Sequence, residues 1–169
     1  MDIGDDQIIS IGLVLALLLL SKVRDLLDNS GLFAATLTGL TVSLMGHWTW
    51  LISLFTFLII GSLATKWKLD EKKLLSLEEA NEGLRSWKNV LANGGAVSIV
   101  AIYNFLFPGQ EWIYFAAIAS ISVALSDTLA SEIGSLDTRT RSITTLQSVP
   151  AGTNGGMSPT GTVAAFYGG

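Results

Sequence analysis

Two carboxylates, Asp127 and Glu132, stand five residues apart in the stretch Ser126-Asp127-Thr128-Leu129-Ala130-Ser131-Glu132-Ile133-Gly134. It closes an apolar run that begins at Trp112 and meets no charge before Asp127. An ionised acid at membrane depth is costly unless a cation, a hydrogen-bond donor or water meets it, so such acids are candidates for function. Residues five apart on an α-helix are rotated by roughly 140°. The two acids therefore do not stack, whereas Asp127 shares a face with Ser131, and Thr128 with Glu132. Both acids reach one ion if the helix loosens before Gly134. Otherwise one holds a metal while the other acts on a substrate hydroxyl or phosphate. Hard oxygen ligands of this kind suit magnesium, which keeps several waters and bridges to phosphates.

Two further groups carry chemistry. Downstream lie Asp137-Thr138-Arg139-Thr140-Arg141 and Gly152-Thr153-Asn154-Gly155-Gly156. Successive backbone N–H groups in a glycine loop can cradle an anion, and arginine forks bind phosphate through charge-assisted hydrogen bonds. The loop has no Walker A spacing, so by itself it is also an ordinary turn. Upstream, Arg85, Asn89 and Asn93 recur every four residues and form one polar stripe on a helix, which a solvated face would explain equally well.

The elements that hold these residues are set by composition. Half of the residues are hydrophobic and 14% are charged, against about 25% charged in soluble domains. Five runs carry no Lys, Arg, Asp or Glu: Gln7 to Leu20, Gly31 to Gly46, Trp48 to Thr65, Gly94 to Phe107 and Trp112 to Ser126. With their flanks they approach the roughly 20 residues that a spanning helix needs. The expected fold is all-α: a polytopic integral membrane protein with five transmembrane helices, the start of a sixth and an interfacial amphipathic helix.

All ten basic residues fall in three segments, Lys22–Arg24, Lys66–Lys88 and Arg139–Arg141. One crossing per run puts all three on one side, and lysine and arginine mark the cytoplasmic side. The N-terminus is then outside, in the plasma membrane if the source is prokaryotic. The first run has an acidic leading end and no small-residue cleavage site, so it reads as a retained helix. Cysteine is absent, which excludes disulfides and thiolate metal sites, and His47 is the sole histidine. A net charge of −4, with no basic patch outside the loops, argues against nucleic acid.

Individual segments add detail. Ala35, Gly39 and Ser43 lie at four-residue spacing and favour close helix packing. Trp48, Trp50, Trp67 and Trp112 stand at run ends, as interfacial anchors do; Phe55, Phe57 and Phe115 read as core or lipid-facing. Ser76 and Glu79 form a capping box. Leu77, Ala80, Leu84, Trp87 and Leu91 then give one apolar face, predicting a surface helix over about 77–92. Residues 135–159 read as a glycine- and hydroxyl-rich cytoplasmic loop. The ten residues from Thr160 to Gly169 are too few to span, and read as the start of a sixth helix truncated at Gly169 or as a re-entrant tail.

Three stretches resemble a known family: Arg85-Ser86-Trp87-Lys88-Asn89-Val90-Leu91-Ala92-Asn93-Gly94, Ser126 to Gly134 as above, and Val149-Pro150-Ala151-Gly152-Thr153-Asn154-Gly155-Gly156-Met157-Ser158-Pro159-Thr160-Gly161-Thr162. In order and in content the chain resembles the transmembrane protein nineteen-like family (domain of unknown function ninety-two), which includes the plant phytyl-phosphate kinase. Members of that family usually continue through further helices. The resemblance implies a membrane transferase that moves a phosphoryl group from a nucleoside triphosphate, CTP or UTP favoured, to an isoprenoid monophosphate. It places Asp127, Ser131 and Glu132 in the active site, with Arg85, Asn89, Asn93 and Thr153, Asn154, Gly155, Gly156 around it. Arg139 and Arg141 are the expected phosphate contacts, and Asp137 beside them is an expected substrate- or nucleotide-binding residue.

Two other classes compete. An ion-coupled transporter would use the acids at mid-membrane and would show inverted repeats, which the sequence lacks. A non-catalytic scaffold would leave the gathering of acids, glycines and arginines on one side unexplained.

Overall fold

A computed structural model describes residues 5–77 and 83–169. The elements are α1 (Asp5–Val23), α2 (Asn29–Met45), α3 (Trp48–Lys66), α4 (Leu69–Leu74), α5 (Trp87–Leu106), α6 (Trp112–Gly134), β1 (Arg141–Ser142), β2 (Gly156–Met157) and α7 (Pro159–Gly168). The fold is all-α, and the chain is a multi-pass membrane protein. α1, α3, α5 and α6 are long and apolar enough to cross a bilayer. α2, with 17 residues, sits at the lower limit of a span. Large apolar side chains stand exposed along these helices, among them Leu15, Phe33, Leu63, Ile99 and Phe115. Burying such a surface in lipid removes the cost of hydrating it.

Met1–Ile59 and Leu84–Ile121 make up one compact unit. Here α2 packs on both α1 and α5. Gly39 meets Val14 of α1, and Gly94 of α5 lies so close to Thr38 that a Cβ would come within 2.9 Å of its methyl. The Ala35-Gly39-Ser43 stripe thus serves packing, as its spacing implied. Asp28 caps α2, accepting from Gly31 N and Ser30 Oγ at 2.7 Å each. Leu17, Leu26, Leu27 and Leu58 form the centre of a core. Trp50 departs from its expected place at an interface: it is 2% exposed and stands edge-on to Tyr114.

The surface helix expected over 77–92 does not form as one element. Ser76, its intended cap, adopts a left-handed backbone (φ 55°), and residues 78–82 fall outside the described residues. Leu84 to Ser86 are non-helical. Arg85 instead pairs through its backbone with Leu26 and Asp28, N to O at 3.1 Å in both directions. Gly31 accommodates this approach, since a Cβ there would run into the Arg85 carbonyl oxygen. The helix starts at Trp87, where Asn89 Oδ1 accepts from both Ser86 N and Ser86 Oγ at 3.2 Å. Arg85 is therefore off the helix, and only Asn89 and Asn93 keep the four-residue stripe.

Ile60–Gly83 and Ser122–Gly169 form the second unit. Within the segment read as a glycine- and hydroxyl-rich loop, β1 pairs antiparallel with β2 and Arg141 also bridges to Ser148. The tail after Pro159 is the helix α7, laid along α6. Glycines permit that contact: a Cβ on Gly161 would lie 3.0 Å from Ala130 O, and one on Gly168 2.8 Å from Ser126 Cα.

Candidate functional site

α6 stays regular to Gly134, so it does not loosen to bring both acids onto one ion. Asp127, Ala130, Ser131 and Gly134 share one face, and that face forms a wall of a cleft in the second unit. Gly161, Thr162 and Ala165 of α7 form another wall, and the loop from Gly152 to Ser158 a third. The cleft measures about 720 Å³, within the usual range of small-molecule sites. Its lining is rich in hydroxyls and backbone, and Asp127 is the one charged side chain among the described residues that line it. Asp127 itself is exposed.

The loop reaches the cleft through two left-handed glycines, Gly152 (φ 77°) and Gly155 (φ 74°). Any side chain at 152 would also collide with Leu77. Turn bonds use the Thr153 amide (to Pro150 O, 3.3 Å) and the Gly156 amide (to Thr153 O, 2.8 Å). The Asn154 and Gly155 amides have no acceptor among the described residues. Ser158 fixes the entry to α7: its hydroxyl donates to Gly134 O at 3.3 Å and accepts from Gly161 N at 3.1 Å. Six residues singled out in the sequence, Asp127, Ser131, Thr153, Asn154, Gly155 and Gly156, thus meet in one cleft.

Glu132 does not line it. It is 5% exposed, and both oxygens are engaged, Oε1 by Thr65 Oγ1 at 2.5 Å and Oε2 by Lys72 Nζ at 2.7 Å. Lys72, fully buried, also donates to Ala64 O at 3.1 Å and Thr65 O at 3.4 Å. The cation therefore caps the carbonyl end of α3, where the helix dipole favours positive charge. Sequence reasoning placed Lys72 among loop cations. The cue to its role was Glu132, an acid in an apolar helix that demands a partner.

Asp137, Arg139 and Arg141 are also not in the cleft lining. Arg139 Nε and Nη2 fork onto Asp137 Oδ1 and Oδ2 at 2.9 and 3.0 Å. Asp137 Oδ2 in turn accepts from Thr160 N at 3.2 Å and Thr160 Oγ1 at 2.8 Å. The arginine contacts and those of Thr160 hold the Asp137 carboxyl well below the usual carboxylate range, and Asp137 raises Arg139 above its ordinary value. This triad pins the start of α7. Arg141 is exposed on β1.

Arg85, Asn89 and Asn93 belong to the first unit. Arg85 is 5% exposed, lies over the Phe57 ring, and with Asn89 lines an apolar cavity of about 50 Å³. Asn93 Nδ2 donates to Asn89 O at 2.7 Å. Among the described residues no group of three or more His, Asp or Glu side chains is placed to hold a metal. A magnesium ion at Asp127 would take one protein carboxylate and draw its remaining ligands from water and phosphate, which is the habit of this ion.

Residues 12–169 match the sequence profile of the family described as Integral membrane protein DUF92. The chain is 35% identical over 161 residues to the "Uncharacterized membrane protein MJ0933" of Methanocaldococcus jannaschii, covering 95% of this chain and 66% of that protein. To the Arabidopsis thaliana proteins named "Protein PGR" and "Protein VTE6, chloroplastic" it is 32% identical in each case. The matched regions cover 88% and 83% of this chain, and 56% and 44% of theirs. The chain thus spans from under half to about two thirds of the length of these relatives. No solved structure matches it. Since this profile match takes in most of the sequence, the chain belongs to the DUF92 family of integral membrane proteins.

Proposed function

We propose that the Asp127 cleft is a phosphoryl-transfer site. In this reading it takes a nucleoside triphosphate as donor and an isoprenoid monophosphate of phytyl or prenyl type as acceptor. The observation that carries the reading is the meeting of Asp127 with the Gly152–Gly156 loop across one polar cleft. The family resemblance supplies the acceptor class and favours CTP or UTP as donor.

In the reaction, an oxygen of the acceptor monophosphate bonds to the terminal phosphorus of the donor. The bridging P–O bond to the nucleoside diphosphate breaks with its electron pair. A phosphate acceptor is already ionised near neutral pH, since its second pKa lies near 6, so no general base is required. What remains is positioning and charge neutralisation, which dominate phosphoryl transfer. With no cation in the described lining, the phosphates would enter with magnesium, which neutralises their charge. Asp127 would hold that complex, while the Asn154 and Gly155 amides and the Ser131 hydroxyl orient oxygens. One crossing per run would gather the basic segments on one side, facing the cytoplasm, where nucleotide is available, with the N-terminus outside.

The test is a transfer assay on purified protein in lipid vesicles, with phytyl or geranylgeranyl monophosphate and CTP, UTP or ATP in turn. A diphosphate product that requires magnesium supports the reading. No product with any of the pairs contradicts it.

A further inference from the structure

Lys72 is a saturated node. An ammonium has three N–H donors, and three acceptors surround this one: Glu132 Oε2 at 2.7 Å, Ala64 O at 3.1 Å and Thr65 O at 3.4 Å. Glu132 is equally satisfied, with Thr65 Oγ1 on its other oxygen. The two side chains are 1% and 5% exposed. The bonds join the end of α3, the short α4 and the last turns of α6 at one point.

That point fixes how α6 is turned. Successive residues on a helix are rotated by about 100°. A Glu132 held toward Lys72 therefore leaves Ser131 about 100° and Asp127 about 140° away in azimuth, on the face that lines the cleft. Lys72 is not among the lining residues. We infer that Lys72 is a positioning residue for the Asp127 cleft, acting through Glu132 to set the rotation of α6, so that Glu132 is an orienting group and not a ligand of the reacting complex. The link to turnover rests on the proposed transfer reaction; the link to the rotation of α6 does not.

The polarity of the node is specific. A cation at 72 meets the carbonyl end of α3 favourably, while a carboxylate there would face like partial charge. Exchanging Lys72 and Glu132 should therefore fail to restore the site. An apolar pair of similar volume can preserve stability where an ion pair was buried, yet it carries none of the directional bonds. Position and stability are separable on that basis.

The test uses the absence of native cysteine. Ser131→Cys reports the cleft face through its labelling rate with a water-soluble maleimide, in the parent chain and in Lys72→Met/Glu132→Leu. The double variant should remain folded and shift that rate several-fold. Without the added cysteine, it should lose kcat by about a hundredfold, as misplacement by an ångström does, with magnesium half-saturation unchanged. Thr65→Val, a milder change that removes one donor to Glu132, should move labelling and kcat in the same direction by less. Parent-like labelling and turnover in the double variant would overturn the inference and leave the pair a prop of the fold. If the double variant does not fold, unchanged labelling in Thr65→Val overturns it. Glu132→Gln raising the magnesium requirement, as loss of a metal ligand does, would return Glu132 to the ligand set. A parent chain that transfers nothing counts against the transfer reading alone, because labelling still decides the role of Lys72.

Discussion

At the scale of single residues, the charged groups around the cleft play two parts: the exposed Asp127 lines it, and others hold it. Lys72 and Glu132 hold it, and their burial makes them sensitive: removing one partner of such a pair costs about 3–5 kcal/mol. Lys72→Met alone should therefore lower the unfolding midpoint in detergent far more than the paired apolar replacement does; equal midpoints would show the pair to be dispensable. Asp137 is the second holding group. Its carboxyl lies below the usual range because Arg139 and Thr160 bond to the charged form. A depressed folded pKa gives stability that is present above the unfolded value, about 3.9, and is lost as pH falls through the folded value. Asp137→Asn should thus be less stable than the parent at neutral pH and converge with it only in strong acid. Parallel melting curves across that range would contradict the triad. Asp127 and Ser131 were legible as a pair from their four-residue spacing. The partners of Glu132 were not, because Lys72 lies 60 positions away and a lysine beside a lysine looks like any loop cation.

At the scale of elements, the hydrophobic runs located the long helices, and their ends were set by tertiary bonds that no local pattern carries. Ser76-x-x-Glu79 and Ser86-x-x-Asn89 are both acceptable starts by composition. The backbone of Arg85, paired with Leu26 and Asp28, holds Leu84–Ser86 out of helix and leaves the second start to initiate α5. α7 was expected as the start of a sixth helix, and its seat on α6 was not legible for a related reason. No local pattern tells that Gly161 and Gly168 meet α6, yet both do. Gly161→Val should therefore cost about 1–3 kcal/mol, the range for overpacking, because a Cβ there lies 2.9 Å from Ser158 Oγ and 3.0 Å from Ala130 O. Thermal unfolding in detergent would show it as a lowered midpoint. An unchanged midpoint would mean that α7 is not seated on α6.

At the scale of the whole molecule, composition and the spacing of charge-free runs were enough to read a polytopic helical membrane protein, because lipid leaves few other solutions for the backbone. Orientation is a prediction from the basic segments. Cysteines at Asp6 and Lys73, both at exposed positions, should be labelled by an impermeant reagent from opposite sides, Lys73→Cys from the cytoplasm. Labelling of both from one side would refute the topology. The central claim concerns Asp127, the one charge among the described residues that line the cleft, and it is tested most directly by the rate of phosphoryl transfer to an isoprenoid monophosphate in Asp127→Asn beside the parent. Loss of a charge-placing group at a reacting centre lowers kcat by about 10²–10³-fold. The account predicts a fall of that size with Asp127→Asn still inserted and folded, whereas turnover close to that of the parent would contradict it.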